Sequence, residues 1–197
     1  FPEHAIFWDF NGSIGISAVY AARAKESNVF VFEPWLLNMD CLVRNIIFNS
    51  VEEKVIIVPT ATSVAAEEKR IRDTYIKLTG TKEEQIFSTR NFKTDHQFGE
   101  QYVNVKMLSL QLDELLLKGD LILPNYLALD IEAAKFLLSY KNFNFFEQVQ
   151  SMLIQYEASL DDINASIKSQ LNSFGLGYFI SKEDESGNRY QIWNRKL

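Results

Sequence analysis

The sequence predicts an α/β fold built on a mostly parallel, doubly wound sheet. Short apolar runs alternate with helical periods along most of the chain. Several of those runs end in a carboxylate, and the last two are joined by turn residues that fit a hairpin. Alternation of strand and helix is what parallel pairing requires, because each crossover must bring the chain back to the same edge direction.

Ala5 to Asp9 reads as a buried strand ending in an acid, and Asn11-Gly12-Ser13-Ile14-Gly15 is turn chemistry. An alanine-rich helix follows from about Ile14 to Ala24, then a second strand, Asn28 to Glu33, again closed by an acid. Pro34 suits the first turn of the next helix, where a missing N–H costs nothing. Leu36, Met39, Val43 and Ile47 recur at helical steps, which predicts that they form its core face and that Cys41 is a small buried residue beside them. Lys54 to Val58 is a third strand, stopped by Pro59.

From Thr60 to Asp120 the rhythm is weaker. Val64, Ile71, Tyr75 and Leu78 predict an amphipathic helix closed by Gly80, residues 81–102 a long loop, Val103 to Leu110 a strand, and Leu112 to Lys118 a short helix. Regularity returns with strands Tyr126 to Asp130 and Ser151 to Glu157. Ser159 and Asp162 resemble a capping box before a helix marked by Leu160, Ile163, Ile167 and Leu171. Gly177 to Ser181 and Tyr190 to Trp193 form the terminal hairpin, expected as an antiparallel edge.

These elements read as a single domain over residues 1–197, with an insertion at about 62–120 between the third and fourth core strands. A composition 47% hydrophobic and 13% aromatic is that of a folded chain. The net charge of −6 argues against binding a nucleic-acid backbone. A lone cysteine cannot close an internal disulfide, so a reducing, cytoplasmic setting is expected. No apolar run reaches the roughly 18–20 residues of a membrane span. The chain begins at Phe1 rather than Met, which reads as part of a longer protein.

Parallel sheets bind ligands at the carboxyl ends of their strands, where the strand order reverses. Here those ends supply Asp9, Glu33, Asp130 and Glu157. Gly12 and Gly15 let backbone approach a ligand closely. Glu33, 24 residues after Asp9, can accept hydrogen bonds from both ribose hydroxyls of an adenosine. The turn gives only G-x-x-G, which disfavours a dinucleotide pyrophosphate and favours S-adenosylmethionine, which has no phosphate. Metal ligands are not expected, since no His/Cys cluster has the spacing.

At these residues the chain resembles the FkbM family of S-adenosylmethionine-dependent methyltransferases. The family's D-x-G-A-N-x-G is met by Asp9 to Gly15, its F-E-P by Phe32-Glu33-Pro34 with late asparagines Asn45 and Asn49, and its V-V-P-x-A by Val58-Pro59-Thr60-Ala61. Gln111 to Leu115, Ala128 to Ala133 and Gly177-Tyr178 echo its later segments. Asn11, Ala128 and Ala133 stand where the family has glycine, lysine and glycine. The resemblance implies a Rossmann-like class I methyltransferase fold: a seven-stranded sheet with helices on both faces and a C-terminal antiparallel hairpin. It also implies a cofactor site at Asp9, Asn11, Gly12, Ser13, Gly15, Glu33, Pro34, Thr60 and Ala61, and methylation of a hydroxyl on a sugar or polyketide-type small molecule. An alcohol acceptor needs a base, for which His96, Asp130 and Glu157 are the candidates. A non-catalytic cofactor-binding or interaction module and an NAD(P)-dependent oxidoreductase are the competing expectations.

Overall fold

The computed structural model describes residues 2–10, 12–59, 61–62, 71–79, 86–90, 101–110, 112, 116, 119, 121–139, 144–157, 165–184 and 188–196. In chain order its elements are β1 (Ile6–Asp9), α1 (Ile16–Ala24), β2 (Asn28–Phe32), α2 (Leu36–Phe48), β3 (Val55–Val58), β4 (Ala61–Thr62), β5 (Ile71–Thr79), β6 (Ile86–Arg90) and β7 (Gln101–Leu110). There follow β8 (Tyr126–Asp130), α3 (Ile131–Ser139), a 3-10 turn at Asn144–Glu147, β9 (Ser151–Glu157), α4 (Ala165–Ser173), β10 (Leu176–Glu183) and β11 (Asn188–Arg195).

Seven strands make one sheet in the order β10-β11-β9-β8-β1-β2-β3. The pairs from β9 through β3 are parallel, and β11 runs antiparallel to both neighbours. The doubly wound sheet and its terminal hairpin are therefore as expected. One detail differs: the last strand lies inside the sheet, between β9 and β10, and β10 forms the edge. Pairing β11 with β9 as well as β10 gives it ladder hydrogen bonds on both sides, which a simple edge hairpin lacks. Arg195, at the end of β11, fixes this arrangement by donating to the carbonyls of Val149 at 2.7 Å, Phe174 at 3.3 Å and Phe146.

Successive residues of a strand point to opposite faces, and β1 and β2 use both. Phe7, Val29 and Val31 pack with Ala18, Ala21, Ala22 and Leu42 on the α1/α2 side. Trp8, Phe30 and Phe32 pack with Leu127, Leu129, Ala134 and Leu137 on the other. Burial on both faces explains why these strands read as continuous apolar runs. Phe10 stacks on Phe32 at 4.3 Å, and Trp8 Nε1 donates to the Ile122 carbonyl at 3.0 Å. Alanine on the inner side of α1 lets that helix lie close to the sheet.

Helix α2 turns differently from its periodic reading. Its buried residues are Asn38, Leu42 and Ile46, whereas Leu36, Val43 and Ile47 are exposed. Cys41 is exposed as well. Both stripes recur at helical steps, so the period alone does not choose between them. The choice is made by Asn38 and Asn45, which the helix turns toward polar groups of the neighbouring loops. Pro34 lies ahead of the helix N-cap, Trp35, rather than in the first turn.

Between β3 and β8 lies a second sheet, with strand order β4-β7-β5-β6. Here the sequence reading is corrected twice. Ile71 to Leu78 is strand β5 and not a helix, and Ile86–Arg90, inside the expected loop, is strand β6. Ile71, Thr74, Tyr75, Ile76 and Thr79 are residue types that favour strands. β5 pairs with β7 in register from Ile71↔Leu108 to Leu78↔Gln101, a partner too distant for a local period to reveal. The strand expected at Val103 to Leu110 is present within β7. Val64 and Gly80 lie outside the described residues. Among the described residues no helix is long and apolar enough to cross a membrane.

Candidate cofactor site

The strand order reverses at β1, which has β2 on one side and β8 on the other, so the crevice lies above the carboxyl ends of these strands. Phe10 N–H donates to the Ala128 carbonyl at 2.9 Å and carries the chain off β1. The turn then folds on itself: Gly12 N–H donates to the Phe32 carbonyl at 3.2 Å and Gly15 N–H to the Gly12 carbonyl at 2.7 Å.

Both glycines are required by packing. A Cβ on Gly12 would come within 2.5 Å of Val31 Cγ2, so the turn can press against β2 only without a side chain. Gly15 has φ +87°, the left-handed region, and a Cβ there would sit 2.3 Å from Leu42 Cδ1 of α2. Ser13 is also left-handed, with φ 44°, a conformation that persists where surrounding contacts hold it.

Those contacts come chiefly from Glu33, only 2% exposed. Its Oε2 accepts the Ser13 N–H at 2.7 Å and its Oε1 the Trp35 N–H at 2.8 Å, while the Asn38 side chain adds a third hydrogen bond. Burial pushes the Glu33 carboxyl above the ordinary glutamate range, and the bonds from Trp35, Ser13 and Asn38 pull the other way. From the opposite side Asn45 Nδ2 donates to the Ile14 carbonyl at 2.7 Å. The turn between β1 and α1 is thus clamped to the start of α2 on one flank and to its middle on the other.

The remaining candidates are distributed along the same rim. Asp9 is buried at the end of β1, in register with Val31 and Ala128. Asp130 Oδ1 accepts the Ala133 N–H at 2.7 Å and so caps the first turn of α3. Pro34 is buried beside Glu33. Ala61 is in β4, paired with Ser109, and Glu157 ends β9, opposite Asn188; their side chains lie outside the described residues. Asn11, Thr60 and His96 lie outside the described residues altogether. Among the described residues, no group of three or more His, Cys, Asp or Glu side chains is placed to hold a metal ion.

Asn38 was missed by sequence reasoning. An asparagine inside an otherwise apolar helical stripe was the available signal, since a buried amide has to find a partner. A carboxylate offers about four acceptor positions, and three N–H groups already use Glu33. That leaves one acceptor position on the carboxylate.

No protein-family model matches the chain, and no curated protein sequence matches it. Solved structures do. TrmK of M. capricolum, in complex with S-adenosyl-homocysteine, aligns over 100% of this chain and 64% of its own, with TM-score 0.56 and 6% identity. Precorrin-6y C5,15-methyltransferase of Geobacter metallireducens GS-15 aligns over 100% of this chain and 82% of its own, with TM-score 0.54 and 10% identity. The fibrillarin pre-rRNA processing protein of Methanococcus jannaschii covers 99% and 69%, with TM-score 0.53 and 10% identity. The chain spans less than two thirds of the length of the first of these. At such identities the likeness establishes the fold: a Rossmann-like methyltransferase fold with its one antiparallel strand inside the sheet.

Proposed function

We propose that the chain is an S-adenosylmethionine-dependent methyltransferase acting on a hydroxyl group of a small molecule. The observation that carries this reading is the strand order, with β11 antiparallel between β9 and β10 and a buried acid ending β2 beside the β1–α1 turn. Gly12, Ser13 and Gly15 shape the wall, Glu33 takes a ribose hydroxyl at its remaining acceptor position, and Asp9 and Pro34 flank it. Thr60 and Ala61, following β3, complete the expected cofactor set. The bound cofactor would supply an activated methyl group. The chain's part is then to orient the acceptor, exclude water and remove the hydroxyl proton as the new O–C bond forms and the C–S bond breaks. His96, Asp130 and Glu157 remain the proposed bases. The sugar or polyketide class of acceptor rests on the FkbM resemblance.

Thermal unfolding with S-adenosylmethionine, S-adenosylhomocysteine or NAD tests this. A ligand at 100 times its Kd stabilises by about 2.7 kcal/mol, so a clear rise in Tm is expected with the first two and none with NAD. Glu33→Ala should remove that rise. Stabilisation by NAD alone, or by nothing, overturns the proposal. A second reading, a cofactor-binding module without turnover, is favoured by Ala128, which packs in the core beside Asp9 where the resembled family has a lysine. It predicts the same Tm rise but no methyl transfer to any hydroxyl acceptor.

A further inference from the structure

Helix α2 carries two faces of different kinds. Asn38, Leu42 and Ile46 are buried toward the sheet, where Asn38 holds Glu33 and Asn45 holds the β1–α1 turn. The opposite face is open and mostly apolar. Leu36, Leu37, Val43, Ile47 and Phe48 are all exposed, Leu36 by 73% and Phe48 by 88%. Contiguous apolar side chains of this size on a surface mark an interaction site. Helix α1 lies alongside, with Arg23 Nη1 donating to the Asn49 carbonyl at 2.6 Å, and adds the exposed Ile16 and Tyr20.

The order of residues on this face points to the partner. Residues four apart form a row along a helix, and the central exposed row is Leu36, Asp40, Arg44 and Phe48. It reads apolar, acidic, basic, apolar. About Leu42 as midpoint, Leu36 is as far away as Phe48, Leu37 as Ile47, and Asp40 as Arg44. Turned end for end, the face sets apolar side chains against apolar ones and each charge against its opposite. A second copy related by a two-fold axis presents that reversed face, because in such an interface residue i meets j and j meets i.

The packing geometry agrees. Rows at four-residue spacing incline about 26° to the helix axis, so laying this row along its reversed copy crosses the helices at about 50°, the commonest packing class. Within one chain Asp40 Oδ2 lies 3.0 Å from Arg44 Nε, and both side chains are largely exposed. An exposed pair of this kind adds little to the stability of a single chain. A guanidinium has five N–H donors and a carboxylate about four acceptor positions, so each group can also bridge to a partner.

We propose that this face joins two copies of the chain in a two-fold dimer, α2 against α2. Asp40 of each copy lies beside Arg44 of the other, and Leu36 and Leu37 pack against Ile47 and Phe48. The proposal does not depend on methyl transfer, and its test uses no cofactor or acceptor.

The test is sedimentation equilibrium on the chain and on charge-reversed variants, with far-UV circular dichroism confirming that each is folded. The face is smaller than the roughly 800 Å² per partner of a standard interface, so a dimer of micromolar strength is expected. Arg44→Asp and Asp40→Arg each set like charges against one another across the axis and should weaken dimerisation at least tenfold. Mixing the two variants should restore association as a heterodimer. The double variant, Asp40→Arg with Arg44→Asp, should dimerise again because it restores opposite charges in reverse order. A folding defect or general stickiness produces neither recovery. A chain that stays monomeric up to millimolar concentration overturns the proposal and leaves the face to a different partner. A dimer that both single variants leave intact overturns it as well and moves the interface elsewhere, for instance to the β10 edge, where Phe179 is exposed. Single variants that dissociate and do not recover on mixing also overturn it.

Discussion

At the β1–β2 rim Glu33 takes N–H groups from Ser13 and Trp35 and a bond from Asn38, and the amides of Gly12, Ser13 and Gly15 all have acceptors inside the fold. At the β9–β11 edge Gln191 Nε2 donates to the Tyr156 hydroxyl, while the Gln191 amide oxygen and the Trp193 indole N–H have no acceptor or donor among the described residues. Motif residues are concentrated at the first place, and the second holds only the Gly177-Tyr178 segment of β10. Glycines and acids at strand ends can hold a turn together as well as receive a ligand, and sequence does not separate the two.

The contrast can be broken most sharply at Gly15. Replacing it with alanine puts a side chain into left-handed backbone and against Leu42, which is fully buried. A loss of about 2–5 kcal/mol is expected from the backbone and overpacking costs together, read from urea denaturation. A loss below 1 kcal/mol would mean that the rim is not closed as described.

Glu33 gives a smaller, pH-dependent effect. Its carboxyl is raised by burial, so the folded chain holds this proton at pH values where the unfolded chain has lost it. The stability gained from protonation is complete below the ordinary glutamate pKa and is lost as pH rises through the raised one. The parent should therefore gain on Glu33→Gln, which does not titrate, as pH falls through that window, by at most about 1.4 kcal/mol per pH unit. The opposite trend in paired denaturation curves would show that the Ser13, Trp35 and Asn38 bonds outweigh burial.

The smallest effect belongs to the open edge. At Gly177 a Cβ would meet only the Lys196 side chain, with Cε at 2.8 Å, and that long side chain can swing aside. Gly177→Ala should change stability by no more than about 0.5 kcal/mol. A loss as large as that at Gly15 would remove the distinction between a tight rim and a loose edge.

Much of the core sheet was legible because its signals are local. Tyr126 to Asp130 and Ser151 to Glu157 are apolar runs of strand length, and the structure places strands over the same residues. β5 was not legible: Ile71, Tyr75 and Leu78 fit a helical period as well as a strand, and the partner that decided the matter begins at Gln101. α2 failed for a related reason, since two apolar stripes compete and the buried one is selected by Asn38 and Asn45. In the candidate site, Glu33 and the two glycines could be found from order and spacing. Asn38 shows in the sequence only as a polar residue among apolar helical positions; that its partner is the carboxylate five residues earlier is decided by the fold.

By itself, the sequence determined the doubly wound core, the carboxyl-end rim and the terminal hairpin, because strand period, turn residues and strand-end acids act over a few residues. Tertiary structure decided which face of α2 is buried, that Ile71–Thr79 is a strand, that β11 lies inside the sheet, and that Gln191 of β11 meets the Tyr156 hydroxyl of β9. Each of these depends on contacts between residues far apart in the chain, whose energies no local pattern contains.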